Sequence, residues 1–166
     1  MRVLLTGSAG FIGFSVAKAL LKRGDEVIGL DNFNPYYDPA LKEARNAILE
    51  KQKGFTLVRG DITNQNTLNT AFDLLTNASH KKNGAKTGSA RLERHNEGKD
   101  GPWKETDKVS FHETRVCHLA AQAGVRHSID HPEIFLHDNI LGFNMVIEEA
   151  RKRNIGGLIY ASTSAV

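Results

Sequence analysis

The stretch "TGSAGFIG" at residues 6–13 decides the fold predicted for this chain of 166 residues. It follows the apolar run "RVLLT" at residues 2–6, which is typical of a short buried strand. Beyond it, apolar residues recur on one face of a helix, at Ile12, Val16, Ala19 and Leu20. The glycine-rich stretch therefore joins a strand directly to a helix.

Gly7, Gly10 and Gly13 have the spacing and the context of a dinucleotide-binding turn. The first glycine permits the tight turn, the second lets backbone approach a pyrophosphate, and the third lets the helix pack closely on the strand. The N–H groups of Phe11 and Ile12 would then point at phosphate oxygens. The alternative is that the glycines serve turn geometry alone. A Walker A loop is excluded, because no Gly-Lys-Ser/Thr follows.

An acidic residue, Asp31, ends the second predicted strand, 18 positions after Gly13. A carboxylate there accepts hydrogen bonds from the ribose hydroxyls of an adenosine and repels a 2′-phosphate. The next residues, Asn32 and Phe33, bring no arginine that would neutralise such a phosphate. We therefore predict NAD in preference to NADP, with Asp31 and Asn32 among its contacts.

Strands and helices are predicted to alternate along the rest of the chain. Helices are expected at residues 40–52, at residues 64–75 and from Pro132 onward, and strands at residues 55–58, 115–120 and 156–162. This alternation predicts an α/β fold, a doubly wound parallel sheet of about five strands covered by helices on both faces. Ligands of such sheets lie at the carboxyl ends of the strands. The further cofactor contacts predicted there are Asp61, Ile62, Leu119, Ala120 and Ala121, with Asp61 as an acceptor for the adenine amino group or in a purely structural role.

A long polar segment, residues 76–112, interrupts this alternation before the fourth strand. Residues 77–108 carry eight Lys/Arg and five Asp/Glu, which accounts for the whole net charge of +3. The basic charge thus belongs to this segment and not to the fold, so nucleic acid is not expected as a partner. We expect a mobile surface insertion, with a lid or a basic anion-binding loop as the alternative.

Composition disfavours several classes of protein. No apolar run approaches about 18 residues, so no membrane-spanning helix is expected, and the first residues do not resemble a signal peptide. We expect a cytoplasmic protein. The single cysteine, Cys117, excludes an internal disulfide framework. The spacing of His127, His131 and His137 matches no metal site, so no metal is expected.

Two polar residues near the fourth strand have open roles. Asn139 falls on a helix face that should be buried, so its amide needs partners. It either caps backbone groups of a neighbouring strand or orders the edge of an active site. Arg126 either meets a substrate phosphate or carboxylate, or forms a surface salt bridge.

Five stretches together resemble the extended short-chain dehydrogenase/reductase family, and within it the UDP-glucuronate 4-epimerase group. They are residues 4–45, "GDIT" at 60–63, "HLAAQAGVRHS" at 118–128, "DNILGF" at 138–143 and "YASTSAV" at 160–166. The resemblance implies hydride transfer from C4 of a UDP-sugar to NAD, and its return to the other face of a 4-keto intermediate. It also implies a homodimer.

By the "YASTSAV" match, the resemblance makes Thr163 the catalytic hydroxyl that polarises the reacting C4 hydroxyl. Ser164 and Arg126 are the implied substrate contacts. Dehydration is disfavoured, because Ser164 and Ala165 stand where the related dehydratases have Asp and Glu.

The same family uses a Tyr-x-x-x-Lys pair as its base, and the 166 residues contain none. We therefore expect an incomplete Rossmann domain over residues 1–166. It would be the amino-terminal, cofactor-binding half of an epimerase, lacking the carboxy-terminal substrate domain and inactive alone. The alternatives are a non-catalytic NAD-binding module and a truncated gene product.

Overall fold

Strands and helices alternate along the part of the chain that the computed structural model describes, residues 1–77 and 113–162. The strands are β1 (Arg2–Thr6), β2 (Glu26–Asp31), β3 (Phe55–Arg59), β4 (Thr114–His118) and β5 (Leu158–Tyr160). The helices are α1 (Phe11–Arg23), α2 (Pro39–Glu50), α3 (Gln65–Asn77), α4 (Val125–Asp130), α5 (Pro132–Phe135) and α6 (Gly142–Lys152), with a π-helical segment (Leu136–Leu141) before α6. The predicted strands, and the helices predicted at residues 40–52 and 64–75, are confirmed to within a few residues.

The five strands form one parallel sheet in the order β3-β2-β1-β4-β5. In its register Thr6 lies between Leu30 and His118, and Asp31 lies opposite Arg59. The chain reverses its direction of winding between β1 and β4, which is the switch point at which open α/β sheets bind ligands. The predicted doubly wound parallel sheet is confirmed.

The central strand, β1, is buried on both faces of the sheet. Leu4 and Leu5 of β1 are both fully buried but belong to different clusters, because successive side chains of a strand point to opposite faces. The cluster around Leu4 includes Phe72 of α3 and Val146 of α6. The cluster around Leu5 includes Ala17 of α1 and a residue of α2. Helices on both sides thus hold β1 and the turn that follows it.

The face that α1 turns to the sheet is the predicted one only in part, since Val16 and Leu20 pack against the cluster around Leu5 as expected. Ile12 is 63% exposed and Ala19 is exposed, whereas Gly13 and Ala17 are buried. The reason is the close approach of helix and turn, since a Cβ at Gly13 would lie 2.0 Å from Gly7 O. Gly13 and Ala17 are therefore the buried residues of α1, while Val16 and Leu20 are partly buried.

The helix expected from Pro132 onward is divided. Pro132 begins α5, as expected from its preference for the first helical turn. The backbone then widens into the π-helical segment before α6 continues to Lys152. The short helix α4 was not predicted, because six residues are too few to show helical periodicity.

Residues 78–112 of the predicted insertion, and residues 163–166, fall outside the described residues. Within residues 1–77 and 113–162, no helix is long and apolar enough to cross a membrane.

Candidate cofactor-binding site

The glycine turn is held by backbone hydrogen bonds at the carboxyl end of β1. Gly7 has a φ of +71° and donates its N–H to Leu30 O at 2.7 Å. Gly10 donates to Gly7 O at 3.0 Å. A Cβ at Gly7 would lie 3.0 Å from Ala120 N, so the turn also packs against the segment that follows β4. Position 7 therefore requires glycine, because of its positive φ and because of this close approach to Ala120.

The carboxylate of Asp31 is buried and ties three segments together. Its Oδ2 accepts a hydrogen bond from the N–H of Ala9 at 3.0 Å. Its Oδ1 accepts from the N–H of Phe33 at 2.8 Å and from Lys42 Nζ at 3.1 Å. Asp31 is only 4% exposed, so these donors keep a buried charge paired. The glycine turn, the end of β2 and helix α2 are therefore fixed relative to one carboxylate.

A cavity of about 420 Å³ lies at the switch point, within the range usual for ligand sites. The predicted cofactor residues on its wall are Gly7, Gly10, Phe11, Asp31, Asn32, Asp61, Ile62, Leu119, Ala120 and Ala121. Ile12 and Gly13 are not on the wall: the Ile12 side chain is largely exposed, and Gly13 packs on Gly7. The fold thus brings most of the predicted contacts around one space.

The carboxylate of Asp61 is already engaged inside the cavity. Asn32 Nδ2 donates to its Oδ2 at 2.8 Å, and the N–H and hydroxyl of Thr63 donate to its Oδ1 at 2.8 and 2.7 Å. Burial raises the pKa of Asp61, but these hydrogen bonds lower it by more, so it stays ionised. Asp61 therefore orders Asn32 and the loop after β3, in addition to facing the cavity.

The hydroxyl of Thr6 organises the other side of the switch point. Its Oγ1 accepts from the N–H groups of Leu119 at 3.1 Å and Ala120 at 3.0 Å. Because those bonds use its lone pairs, the hydroxyl donates its own proton to His118 Nδ1, 2.8 Å away. His118 is 7% exposed and stacks on Phe143 with 5.1 Å between ring centroids. Burial lowers the pKa of His118 to about 4, so the imidazole is neutral at pH 7.

His118 makes the stability of the fold depend on pH. The unfolded imidazole takes up a proton near pH 6.5, whereas the folded one resists protonation until about pH 4. The stabilisation is complete above pH 6.5 and falls as the pH decreases towards 4, by about 3 kcal/mol in total. Urea unfolding of the His118→Asn variant, which keeps a hydrogen-bond acceptor, is expected to depend much less on pH in this window. An equal dependence in both proteins would contradict the assignment.

Asn139, in the π-helical segment, binds the backbone of Gln122 on the cavity wall. Its Oδ1 accepts from the N–H of Gln122 at 2.8 Å, and its Nδ2 donates to Gln122 O at 3.0 Å. Asn139 therefore caps backbone groups as in the first alternative, but of the segment after β4 and not of a strand, and that segment is part of the cavity wall. π-Helical segments of this kind are frequent at functional sites.

The chain matches a known protein family over most of its length. The family model described as "NAD dependent epimerase/dehydratase family" matches residues 3–78 and 75–166. The chain belongs to this family.

Its relatives in the epimerase/dehydratase family are longer proteins. UDP-glucuronate 4-epimerase 4 from Arabidopsis thaliana is 40% identical over 165 residues, which are 99% of this chain and 29% of that protein. The crystal structure of UDP-glucuronic acid 4-epimerase from Bacillus cereus, in complex with UDP-glucuronic acid and NAD, is 26% identical with a TM-score of 0.70; the match covers 100% of this chain and 41% of that one. UDP-glucose 4-epimerase from Thermus thermophilus, in complex with NAD, is 28% identical with a TM-score of 0.65, over 98% and 38%. The chain thus spans less than half the length of these epimerases.

NAD is the cofactor of this family, and the residues at the switch point fit it. The first backbone bond of α1 runs from Phe14 N–H to Gly10 O at 2.9 Å, so the preceding N–H groups have no acceptor within the helix. Gly10 provides no side-chain cap, and the first turn of α1 has no acidic residue. A Cβ at Gly10 would lie 3.1 Å from Gly7 O and would narrow this cradle. The helix N-terminus is suited to the negative charge of a pyrophosphate.

Two basic residues at the site were missed by the sequence analysis. Lys42 and Arg45, one turn apart on α2, line the cavity. Lys42 pairs with Asp31, and Arg45 Nη1 donates to Ala9 O at 3.4 Å. The residues next to Asp31 in the sequence, Asn32 and Phe33, bring no cation, but the following helix does. The basic pair on the first helix after Asp31 was the signal that could have identified them.

Of the predicted substrate and catalytic residues, Arg126 alone belongs to the described part of the chain, and it is not brought to the cavity. Arg126 is exposed on α4 and does not line the wall. Thr163 and Ser164 lie outside the described residues, just beyond β5. Residues 1–77 and 113–162 contain no group of three His, Cys, Asp or Glu that could hold a metal ion.

Proposed function

We propose that this chain is the NAD-binding half of a nucleotide-sugar 4-epimerase with a UDP-glucuronate-like substrate. The observation that carries the proposal is the uncapped N-terminus of α1, which shares one cavity with Gly7, Gly10 and the buried carboxylate of Asp31. The relatives, several of which are named as UDP-glucuronate 4-epimerases, support the substrate class. When bound, NAD supplies the hydride acceptor and donor for the sugar C4.

The residues of the cavity have distinct proposed roles. The N–H groups of Phe11 and Ile12 hold the pyrophosphate against the glycine turn. Asp31 accepts from the adenosine ribose. A carboxylate has about four acceptor positions, and the bonds from Ala9, Phe33 and Lys42 occupy three of them. One position remains for a ribose hydroxyl.

Other contacts complete the cofactor site. Asn32, Asp61 and Ile62, on the cavity wall, would contact the adenine. Leu119, Ala120 and Ala121 would lie along the cofactor after the end of β4. Thr6 holds the N–H groups of Leu119 and Ala120, and Asn139 holds the backbone of the next residue, Gln122.

The substrate side of the proposal rests on the family resemblance. Thr163 would hydrogen-bond the reacting C4 hydroxyl, with Ser164 and Arg126 as further contacts to the sugar nucleotide. A homodimer and a cytoplasmic location stay predictions. Exposed apolar side chains on one continuous helical stretch, at Leu136 (59%), Ile140 (62%) and Ile147 (37%), support the dimer.

Calorimetric titration of the purified chain with NAD and NADP tests the cofactor proposal. NAD is expected to bind more tightly, because Asp31 faces the position of the 2′-phosphate. The Asp31→Asn variant keeps the shape but not the charge, and it should lose affinity for NAD and preference over NADP. Tighter binding of NADP, or no binding of either, would refute the proposal. The chain alone is expected not to epimerise UDP-glucuronate, since its 166 residues contain no Tyr-x-x-x-Lys pair.

The alternative is a non-catalytic NAD-binding module. The two readings differ in what they require of the coding sequence after Val166. The epimerase requires a Tyr-x-x-x-Lys pair there, and the module requires none. Sequencing the transcript beyond Val166 distinguishes them.

A further inference from the structure

Phe33 has an unusual backbone conformation next to Asp31. Its φ of +54° places an aromatic residue in the left-handed region, which favours glycine. The side chain is 8% exposed, and the N–H donates to Asp31 Oδ1 at 2.8 Å. A strained residue of this kind persists only where its surroundings hold it in place, and such residues cluster at functional sites.

The end of β3 holds the Phe33 ring. The guanidinium of Arg59 lies over the ring, with 3.6 Å from its Cζ to the ring centroid. Two parallel bonds from Arg59 to Glu43, at 2.9 and 2.8 Å, set the plane of that guanidinium. Glu43 belongs to α2 and is adjacent to Lys42, which binds the same Asp31 oxygen as Phe33 N–H. Arg59, at the end of β3, therefore contacts both Phe33 and helix α2.

We propose that Arg59 is a positioning residue for the adenosine end of the cofactor site, acting through Phe33 on the carboxylate of Asp31. The inference rests on the proposed NAD-binding function. Without the guanidinium over its ring, Phe33 relaxes from its left-handed conformation. Its N–H then turns away from Asp31 Oδ1, and the orientation of the carboxylate is set by Lys42 and Ala9 alone.

The geometry separates this role from that of an ordinary surface ion pair. Arg59 and Glu43 are about half exposed, at 49% and 51%, and such a pair contributes little by itself. What distinguishes Arg59 from an ordinary surface ion pair is that its guanidinium also stacks on the buried ring of Phe33. Arginine serves here because its planar group stacks and forms two bonds at once, which lysine cannot do.

The Arg59→Lys variant tests the proposal because it keeps the charge and removes the planar stack. The dissociation constant for NAD is expected to rise by roughly fivefold to tenfold, and the preference for NAD over NADP is expected to shrink. The preference is the deciding readout, since a merely structural role would not change it. The matched control is Arg151→Lys, the same change at the exposed Arg151–Glu148 pair on α6, outside the cavity wall. It should leave both dissociation constants unchanged.

A double-mutant cycle tests whether the effect of Arg59 depends on the aromatic ring of Phe33. Phe33→Leu keeps an apolar side chain but removes the aromatic face, so Arg59→Lys should have little further effect in that background. If Phe33→Leu does not fold by circular dichroism, Glu43→Gln, which removes one of the two bonds that set the plane of the guanidinium, should shrink the preference in the same direction. An unchanged preference in Arg59→Lys, or an equal effect with and without the ring, would overturn the inference. Failure of the unsubstituted chain to bind NAD would instead refute the proposed function.

Discussion

Replacing Gly13 by alanine is expected to abolish NAD binding and to destabilise the fold by about 3 kcal/mol or more. The added Cβ would lie 2.0 Å from Gly7 O, 2.8 Å from Gly7 C and 3.1 Å from Ser8 Cα. All three atoms are backbone, so no side chain can turn aside. Helix α1 would have to move away from the turn, and its N-terminal N–H groups would leave the cavity. Urea unfolding and calorimetric titration with NAD measure the two effects.

Gly24→Ala is the matched control for this substitution. Gly24 ends the same helix in the left-handed region, with a φ of +91°, and a Cβ there would meet nothing within 4 Å. Its replacement should cost about 1 kcal/mol through backbone strain and should leave NAD affinity unchanged. If both variants lost the same stability and affinity, the close approach of Gly13 to Gly7 could not be the cause.

The glycine turn was predictable because its determinants are local. The spacing of Gly7, Gly10 and Gly13, and an acidic residue at the end of the next strand, encode a strand–turn–helix unit within about 30 residues. The alternation of the remaining elements then predicted the sheet. Apolar periodicity identified Val16 and Leu20 as core-facing residues of α1 but did not predict the exposure of Ile12 and Ala19, because that is decided by how closely Gly13 approaches Gly7.

The residues missed at the site depend on tertiary contacts. Lys42 reaches Asp31 only because α2 packs beside the end of β2. Arg59, which lies outside the cavity wall, was not predicted either, and it reaches Phe33 only through the parallel register of β2 and β3. A sequence pattern shows which residues end a strand, but not which neighbouring helix covers them. The left-handed conformation of Phe33 is likewise imposed by its surroundings, since phenylalanine has no intrinsic preference for it.

Removing the Glu149 side chain is expected to destabilise the fold by about 2 to 3 kcal/mol, because it breaks a buried ionic network between α3 and α6. Glu149 is 5% exposed and accepts hydrogen bonds from Gln65 at 3.0 Å, Lys152 at 3.1 Å and Arg153 at 3.2 Å. Arg153 also binds Asp73 of α3. In Glu149→Ala, the partly buried Arg153 loses one of its two carboxylate partners. Urea unfolding at pH 7 measures the loss.

The neighbouring Glu148→Ala variant provides the control. Glu148 is 40% exposed and pairs with Arg151 on the same helix, so its removal should leave the unfolding midpoint almost unchanged.

The decrease in stability at acid pH gives a second check on the role of Glu149. Burial raises the pKa of Glu149, but its hydrogen bonds from Lys152, Arg153 and Gln65 lower it by more, to below the usual 4.5. The stabilisation is therefore complete above pH 4.5 and is lost as the pH falls through the folded-state pKa. Glu149→Gln should lack this loss of stability at acid pH, whereas the Glu148→Ala control should retain it. If Glu149→Gln lost stability at acid pH as the unsubstituted chain does, the network would not stabilise the fold through this charge.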